Sequence, residues 1–294
     1  MSSDPVAAEV LAVIVAMVDG EPCVLTLADA PRLPAGPLLP SHRSLQTAVR
    51  AWVKEQTGYP LGYLEQLYTF ADRDRADSPG RTISVSYLGL VHAALPGSGR
   101  WRSWYSLFPW EDHRGDDPLI GEVIGPALKG WAAGADGRGR RQRAAISFGL
   151  DARPWQPDLA LQRFEILYEA GLVPESRQPG STVLPGERLN GDHRRVVATG
   201  IARLRAKIQY RPVVFELMPP EFTLGQLQSC VQALAGQPVH TQNFRRLVEQ
   251  QQLVEPTGEQ AGTGGRPARL YRFRREVLQE RQAAGTKLPS PRTR

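Results

Sequence analysis

Cysteine and long apolar runs are both scarce in this sequence of 294 residues. Its two cysteines, Cys23 and Cys230, are too few and too widely spaced for a disulfide scaffold or a four-ligand zinc site. The one long apolar stretch near the start, Val6–Val18, is interrupted by Glu9 and is too short to span a membrane. These absences favour a cytoplasmic protein with no membrane partner.

The sequence also lacks a dominant charge of one sign. It carries 36 Lys and Arg against 30 Asp and Glu, a formal net charge of +6, and 41% of its residues are hydrophobic. That balance excludes a fully disordered chain. It permits a sizeable core in each of about two domains, at roughly 100 to 200 residues per domain.

The distribution of charge along the chain is more informative than its total. Positions 1–187 contain 18 basic and 22 acidic side chains, a net of −4, whereas positions 188–294 contain 18 basic and 8 acidic ones, a net of +10. This asymmetry predicts that the C-terminal part meets a polyanion while the N-terminal part has another role. A solvated basic surface without a partner is the alternative.

A hairpin and a helix open the chain. Val6–Val18 and Pro22–Leu27 are predicted strands, joined by Asp19-Gly20, which supplies the positive φ of a tight hairpin turn. Ser44 then precedes apolar residues at helical spacing, and Gly58 follows them as a C-cap. Further strands are predicted at Leu64–Phe70, Thr82–His92 and, less regularly, Trp101–Leu107.

The segment of about residues 100–186 extends this first domain. Leu119–Trp131 and Leu159–Tyr168 have helical apolar spacing, whereas Arg138–Arg143 is interrupted by glycine and is predicted to be a surface loop. Strands and helices in this order predict an α/β sandwich with a mixed sheet over residues 1–186.

Residues 187–284 show a different pattern. Asp192–Ile208 is predicted to be a helix, and Thr223 and Gln226 form a capping box at the start of another, which ends at Gly236. A third helix, with Thr241 as its predicted N-cap, and a β-hairpin complete a winged helix-turn-helix domain. The C-terminal segment 285–294 is predicted to be a disordered tail.

The helix that begins near Thr241 is the predicted recognition helix for DNA. Its spacing turns Phe244, Leu247 and Val248 inward, so that polar side chains face solvent where a recognition helix enters the major groove. Arginine can bind guanine, and Asn or Gln can bind adenine, through paired hydrogen bonds. The predicted DNA-binding residues are Thr241, Gln242, Asn243, Arg245 and Arg246 on the helix, with Arg266 and Arg269 on the β-hairpin that follows it, which is the wing of the domain. A protein-docking module is the alternative.

The helix Ser44–Gly58 resembles the second half of a Nudix box, Gly-x5-Glu-x7-Arg-Glu-apolar-x-Glu-Glu-x-Gly-apolar. Aligned on Gly58, its carboxylate positions become Arg43, Trp52, Glu55 and Gln56, while its first Gly becomes Pro37 and its Arg becomes Ala51. One surviving carboxylate, Glu55, cannot hold magnesium beside a diphosphate. The resemblance therefore implies an α+β chain with a degenerate Nudix-like α/β/α sandwich, no catalytic residues, and no metal or other cofactor.

Blocks in the second half are similar to those of Nudix-related transcriptional regulators of NAD metabolism, the NrtR type. They include Arg203-Leu-Arg-Ala-Lys-Ile208, Asn243-Phe-Arg-Arg246 and Gly265-Arg-Pro-Ala-Arg-Leu-Tyr-Arg-Phe273. The extended segment from residue 100 resembles the related NadQ type. The resemblance implies a homodimeric repressor of NAD biosynthesis or salvage genes that binds a palindromic operator in double-stranded DNA.

The same resemblance implies a nucleotide effector: ADP-ribose, another NAD-related nucleotide or ATP. Arg50, Glu55 and Tyr68 are the candidate effector-binding residues. Asp192–Ile208 is predicted either to connect domains and protomers or to pack only within its own subunit. An active Nudix-type hydrolase of ADP-ribose or a related nucleoside diphosphate, with an accessory winged helix, is the alternative function.

Overall fold

The structure is a computed structural model that describes residues 6–71, 82–116, 118–134, 137–176, 183–209, 213–262, 267–274 and 276. Its strands are β1 (Ala7–Val18), β2 (Glu21–Thr26), β3 (Ala35–Pro37), β4 (Tyr63–Phe70), β5 (Thr82–Leu90), β6 (Arg100–Ser103), β7 (Phe222–Thr223), β8 (Val254–Ala261) and β9 (Ala268–Phe273). Its α-helices are α1 (Leu45–Thr57), α2 (Trp104–Leu107), α3 (Gly125–Trp131), α4 (Gly137–Phe148), α5 (Ala160–Glu169), α6 (His193–Ile208), α7 (Leu224–Ala235) and α8 (Thr241–Gln250). The predicted tail 285–294 lies outside the described residues.

β1 is the central strand of a mixed six-stranded sheet. The strand order is β4-β5-β1-β2-β6, with β3 paired to β1. β1 runs parallel to β5 and antiparallel to β2, and the predicted turn is confirmed by positive φ at Asp19 (49°) and Gly20 (81°). Because β1 is buried on both faces, it can carry a helical layer on each side.

Helix α1 covers one face of this sheet. It buries Ala48, Val49 and Val53 against residues that alternate along β1. The predicted ends are confirmed: the Ser44 hydroxyl accepts a hydrogen bond from the Thr47 amide, and Gly58 closes the helix at φ 74°.

Helix α6 lies on the opposite face. A Cβ atom at Gly200 would sit 2.9 Å from Val13 Cγ1, so the helix approaches β1 at the distance that glycine allows. Two helical layers around one sheet confirm the predicted α/β/α sandwich. Of the two predicted roles of α6, packing within its own subunit is observed; a further role between protomers stays a prediction.

Helix α6 contacts both of the predicted domains. It lies in the part that the sequence assigned to residues 187–284, yet it packs on the sheet of the first domain and also contacts α7. The exact boundary stays a prediction.

Two local predictions in the extended segment are wrong. Residues 104–107 form the short helix α2, because the Ser103 hydroxyl caps the Tyr105 amide and the helical turn buries both Trp104 and Leu107. Arg138–Arg143 is part of α4 and not a loop. Ala144, Ala145 and Phe148 anchor that helix in the core, which outweighs the cost of one internal glycine.

The C-terminal elements form a winged helix-turn-helix. Helices α7 and α8 are followed by β8 and β9, and β9 also pairs with β7 in the order β7-β9-β8. The capping box of Thr223 and Gln226 is confirmed, as is the helix end at Gly236, whose φ is 69°. Among the described residues, no helix is long and apolar enough to cross a membrane.

Candidate nucleic-acid interface and Nudix helix

Helix α8 has one buried stripe and a broad polar surface. Phe244 and Val248 are buried, while the predicted DNA-binding residues on this helix are exposed: Thr241, Gln242, Asn243, Arg245 and Arg246. The buried stripe holds the helix in the domain, so the exposed side chains are free to meet a ligand. Their exposure is as predicted, and their contact with DNA stays a prediction.

Two details of α8 differ from the sequence-based interpretation. The helix begins at Thr241, and its N-cap is His240, whose side chain makes no capping bond. Thr241 lies one position past the N-cap, and its hydroxyl accepts a hydrogen bond from Gln228 Nε2 of α7 at 2.9 Å instead of capping the helix. Leu247 is not turned inward: 51% of it is exposed.

The wing contributes a second basic element. Arg269 of β9 is exposed and lines a groove of about 370 Å³ that also borders Glu249 of α8. The neighbouring Arg272 donates a 2.6 Å hydrogen bond to Glu255 of β8, and this bond raises the pKa of its guanidinium. Arg269 is therefore the better placed of the two for phosphate. The predicted Arg266 lies outside the described residues.

Two positions of the Nudix box that would hold carboxylates carry neutral side chains tied to β3, Trp52 and Gln56. Trp52 Nε1 donates to the Pro37 carbonyl at 3.0 Å, and its indole lies against Gly36, where a Cβ atom would overlap it. The Gln56 amide bonds both the amide and the carbonyl of Ala35, at 3.1 and 2.8 Å. At both positions the side chain fixes a strand edge instead of offering metal ligands.

The candidate effector residues are spread along the domain. Arg50 donates to the Leu61 carbonyl and, at 3.1 Å, to that of Gly62, so it holds the loop just before β4. Tyr68 lies towards the other end of β4, roughly 17 Å along at about 3.3 Å per residue, with its ring 5.0 Å from that of Phe70. Glu55 is exposed on α1. The structure does not gather these three at one point. Their role as effector ligands stays a prediction.

No group of three or more His, Cys, Asp or Glu side chains is placed to hold a metal ion within the described ranges. Glu55 is the carboxylate that the box retains, and hard cations require several oxygen ligands. Helix α1 carries this one carboxylate.

A buried ion cluster, which the sequence did not predict, joins the extended segment to the helix-turn-helix. The Glu111 carboxylate accepts bonds from Arg163 Nε at 2.6 Å and Nη2 at 2.8 Å, and it also pairs with Arg205 Nη1. All three side chains are at most 1% exposed. Burial raises the pKa of Glu111, but the two guanidinium groups outweigh it and hold that pKa below its usual range.

The C-terminal end of α7 rests on this cluster. Arg205 Nε donates to the Leu234 carbonyl at 2.8 Å, the Tyr105 hydroxyl donates to the Ala233 carbonyl, and the His113 amide donates to the Gly236 carbonyl at 2.7 Å. The last carbonyls of a helix have no partner within it. Here groups of the N-terminal part and of α6 supply those partners, which fixes the helix-turn-helix on the sandwich.

Comparison with known proteins identifies the second part of the chain. Residues 214–273 match the family model of the NrtR DNA-binding winged helix domain. A curated relative, the ADPR responsive transcriptional repressor NtrR of Acinetobacter baylyi, is 38% identical over 82 residues. That alignment covers 28% of this chain and 33% of the relative, so it spans about a third of the relative's length.

Solved structures extend the likeness to the whole fold. NrtR of Shewanella oneidensis, crystallised with a 27mer DNA, is 21% identical with a TM-score of 0.56, and the alignment covers 92% of this chain and 95% of that one. A MutT/nudix family protein of Enterococcus faecalis is 16% identical with a TM-score of 0.56, over 93% and 88% of the two chains. At these identities the likeness concerns the fold, which is a Nudix-like domain followed by a winged helix domain.

Proposed function

We propose that this chain, a Nudix-related protein of the NrtR type by its winged helix domain and its fold, is a transcriptional repressor that binds operator DNA and responds to a nucleotide. One observation carries the proposal: α8 of an NrtR-type winged helix exposes amide and guanidinium side chains over a buried anchor of Phe244 and Val248. The net charge of +10 on positions 188–294 supports a polyanionic partner.

Binding to duplex DNA is tested by fluorescence anisotropy with the region upstream of the protein's own gene. Because arginines that neutralise phosphates release counterions, the logarithm of the binding constant should fall steeply and linearly with the logarithm of salt concentration. Binding that is absent at low salt would overturn the repressor proposal. It would favour a protein-docking role for the winged helix.

Arg245→Ala is expected to reduce the preference of the protein for particular bases. Arg269→Ala is expected to weaken binding to all DNA sequences alike. The reason is that Arg245 is exposed on the proposed recognition helix, while Arg269 is exposed on wing strand β9, from which we expect it to contact phosphates. A base-specific contact discriminates by about 1 to 3 kcal/mol. The measurement is the affinity ratio between operator and scrambled duplex for each variant.

Arg143→Ala is the matched control for this pair. Arg143 is an exposed arginine on α4 that pairs with Glu169 at 2.7 Å, outside the winged helix. Its replacement should leave both affinities unchanged. A uniform loss for Arg245→Ala, with altered base preference for Arg269→Ala, would reverse the assignment of the two surfaces.

The Nudix-like domain is the proposed nucleotide sensor. The sandwich is the fold of nucleotide-binding Nudix proteins, and a curated relative is described as ADPR responsive. ADP-ribose is therefore the first candidate effector, ahead of other NAD-related nucleotides and ATP. Because Trp52 and Gln56 bond β3 where the box has carboxylates, the domain is proposed to bind its ligand without hydrolysing it.

ADP-ribose is expected to raise the melting temperature of the protein. A ligand that binds only the folded state adds about 2.7 kcal/mol at 100 times its dissociation constant. Thermal shift against ADP-ribose, NAD, nicotinate mononucleotide and ATP ranks the candidates, with ribose 5-phosphate as the control ligand. No shift with any of them would contradict the sensor, and magnesium-dependent turnover of ADP-ribose would favour the hydrolase instead.

The remaining parts of the proposal concern assembly and target. Two winged helices of a homodimer would read the halves of a palindromic operator, centred roughly 34 Å apart. The proposed targets are genes of NAD biosynthesis or salvage, in the cytoplasm. An effector that favours the conformer unable to bind DNA by about 3 kcal/mol would weaken operator binding more than 100-fold.

A further inference from the structure

Leu247 is an apolar side chain exposed on a polar surface. It is 51% exposed, whereas its neighbours on the apolar stripe, Phe244 and Val248, are 8% and 4% exposed. The other exposed side chains of α8 are all polar: Thr241, Gln242, Asn243, Arg245, Arg246, Glu249 and Gln250. An isolated exposed leucine is ordinary on most helices, so its position within this surface decides its meaning.

Leu247 lies in a row with two amide side chains, the kind of side chain that can bind DNA bases. Residues four and three apart on a helix are neighbours, so Asn243, Leu247 and Gln250 lie side by side along one flank of α8. Glu249, on the opposite flank, faces towards the wing, because it lines the groove bordered by β8 and β9. The leucine is thus continuous with the amides and lies away from the wing.

The major groove offers one apolar group on its base edges, which is the C5-methyl group of thymine. Asn and Gln pair with adenine through N6 and N7, so a row of amide, leucine and amide matches A·T pairs in succession. We propose that Leu247 contacts the C5-methyl group of an operator thymine, next to base pairs read by Asn243 and Gln250. This inference rests on the proposed function.

A second copy of the chain is the other conceivable partner of Leu247. The charge of the surrounding surface favours DNA, since Arg245 and Arg246 immediately precede the leucine and positions 188–294 carry a net charge of +10. Two such surfaces from two copies would repel each other without a polyanion between them. Oligomeric state nevertheless serves as a readout below.

The test removes the methyl group alone. Each thymine of the bound duplex is replaced in turn by deoxyuridine, and affinity is measured by anisotropy for the wild type and for Leu247→Ala. For the wild type, at least one replacement should weaken binding about fourfold, the effect of losing one buried methyl-sized group. The Leu247→Ala variant should bind the duplexes with thymine and with deoxyuridine at that position with equal affinity.

Two further variants control the experiment. Gln250→Ala removes a polar neighbour in the same row and should keep the thymine preference, while Leu247→Met keeps an apolar side chain and should restore most of it. Because Leu247 is half exposed, the melting temperature of its variants should change little.

Each outcome has a distinct consequence. A wild type that binds the duplex but is indifferent to every deoxyuridine overturns the thymine contact, and so does a Leu247→Ala variant that keeps the full thymine preference. Loss of a dimer in Leu247→Ala, measured by light scattering without DNA, assigns the leucine to a protein interface and also overturns it. A wild type that binds no duplex overturns the proposed function instead.

Discussion

Glu111→Gln is expected to lower the free energy of unfolding by about 3 to 5 kcal/mol, the usual cost of removing one partner of a buried ion pair. The change leaves the shape of the side chain almost intact and removes its charge. Arg163 and Arg205 would then stay buried without their carboxylate, and a neutral amide cannot accept at both positions. Urea unfolding followed by circular dichroism measures the difference.

Glu169→Gln is the matched control for this prediction. Glu169 makes the same kind of bidentate pair, with Arg143, but the two side chains are 44% and 51% exposed. An exposed pair contributes about 0 to 1 kcal/mol, so this variant should unfold almost like the wild type. Similar losses for the two variants would show that burial does not decide the strength of the Glu111 cluster.

Acid provides an independent check on Glu111. The guanidinium groups hold its pKa in the folded protein below the unfolded value, so ionised Glu111 stabilises the fold fully above the unfolded pKa. That stabilisation is lost as pH falls through the folded pKa. The gap between wild type and Glu111→Gln should therefore be constant near neutral pH and narrow only in acid.

The parts of the fold that were predictable from sequence depend on local signals. Ser44 and Gly58 bound α1, Asp19-Gly20 closes the hairpin, and the capping box starts α7, each within a few residues of its partner. The structure confirms all of them. The same signals, in order along the chain, were enough to predict a sandwich followed by a winged helix.

The features that were not predictable depend on distant contacts. Glu111 and Arg205 are 94 residues apart, and no periodicity links them. On α8 the spacing predicted both Leu247 and Val248 as inward residues, and only packing against the rest of the domain shows that Val248 is buried and Leu247 is exposed. The box alignment likewise identified Trp52 and Gln56 as departures, but their bonds to β3 required the fold.

Gly236→Ala is expected to destabilise the protein by at least about 2 kcal/mol. Left-handed backbone costs a residue with a Cβ atom roughly 1 to 2 kcal/mol, and the φ of Gly236 is 69°. In addition, the new Cβ would overlap the Glu111 carbonyl oxygen and lie 2.7 Å from Arg205 Nη2. Since the Glu111 backbone and the buried Arg205 side chain would have to move, the variant is expected to strain the packing of α7 on the sandwich.

Gly225→Ala, at the other end of α7, is expected to change stability with the opposite sign. Its Cβ would meet only the Thr223 hydroxyl at 3.7 Å, so alanine should stabilise α7 by up to about 1 kcal/mol. Thermal and urea unfolding of both variants measure the contrast. Equal effects would mean that the contact between the C-terminal end of α7 and the sandwich, the junction at Gly236, does not contribute to the loss of stability.

Gly236→Asn separates the two causes of the loss. Asparagine tolerates left-handed backbone better than alanine but carries the same Cβ. If backbone strain dominates, Asn should recover most of the stability, whereas if the overlap with Glu111 dominates, Asn should be as damaging as Ala. The second result is expected, because the junction surrounds Gly236 on the side where a Cβ would lie. Full recovery would mean that the Glu111 contact does not determine where the helix-turn-helix rests on the sandwich.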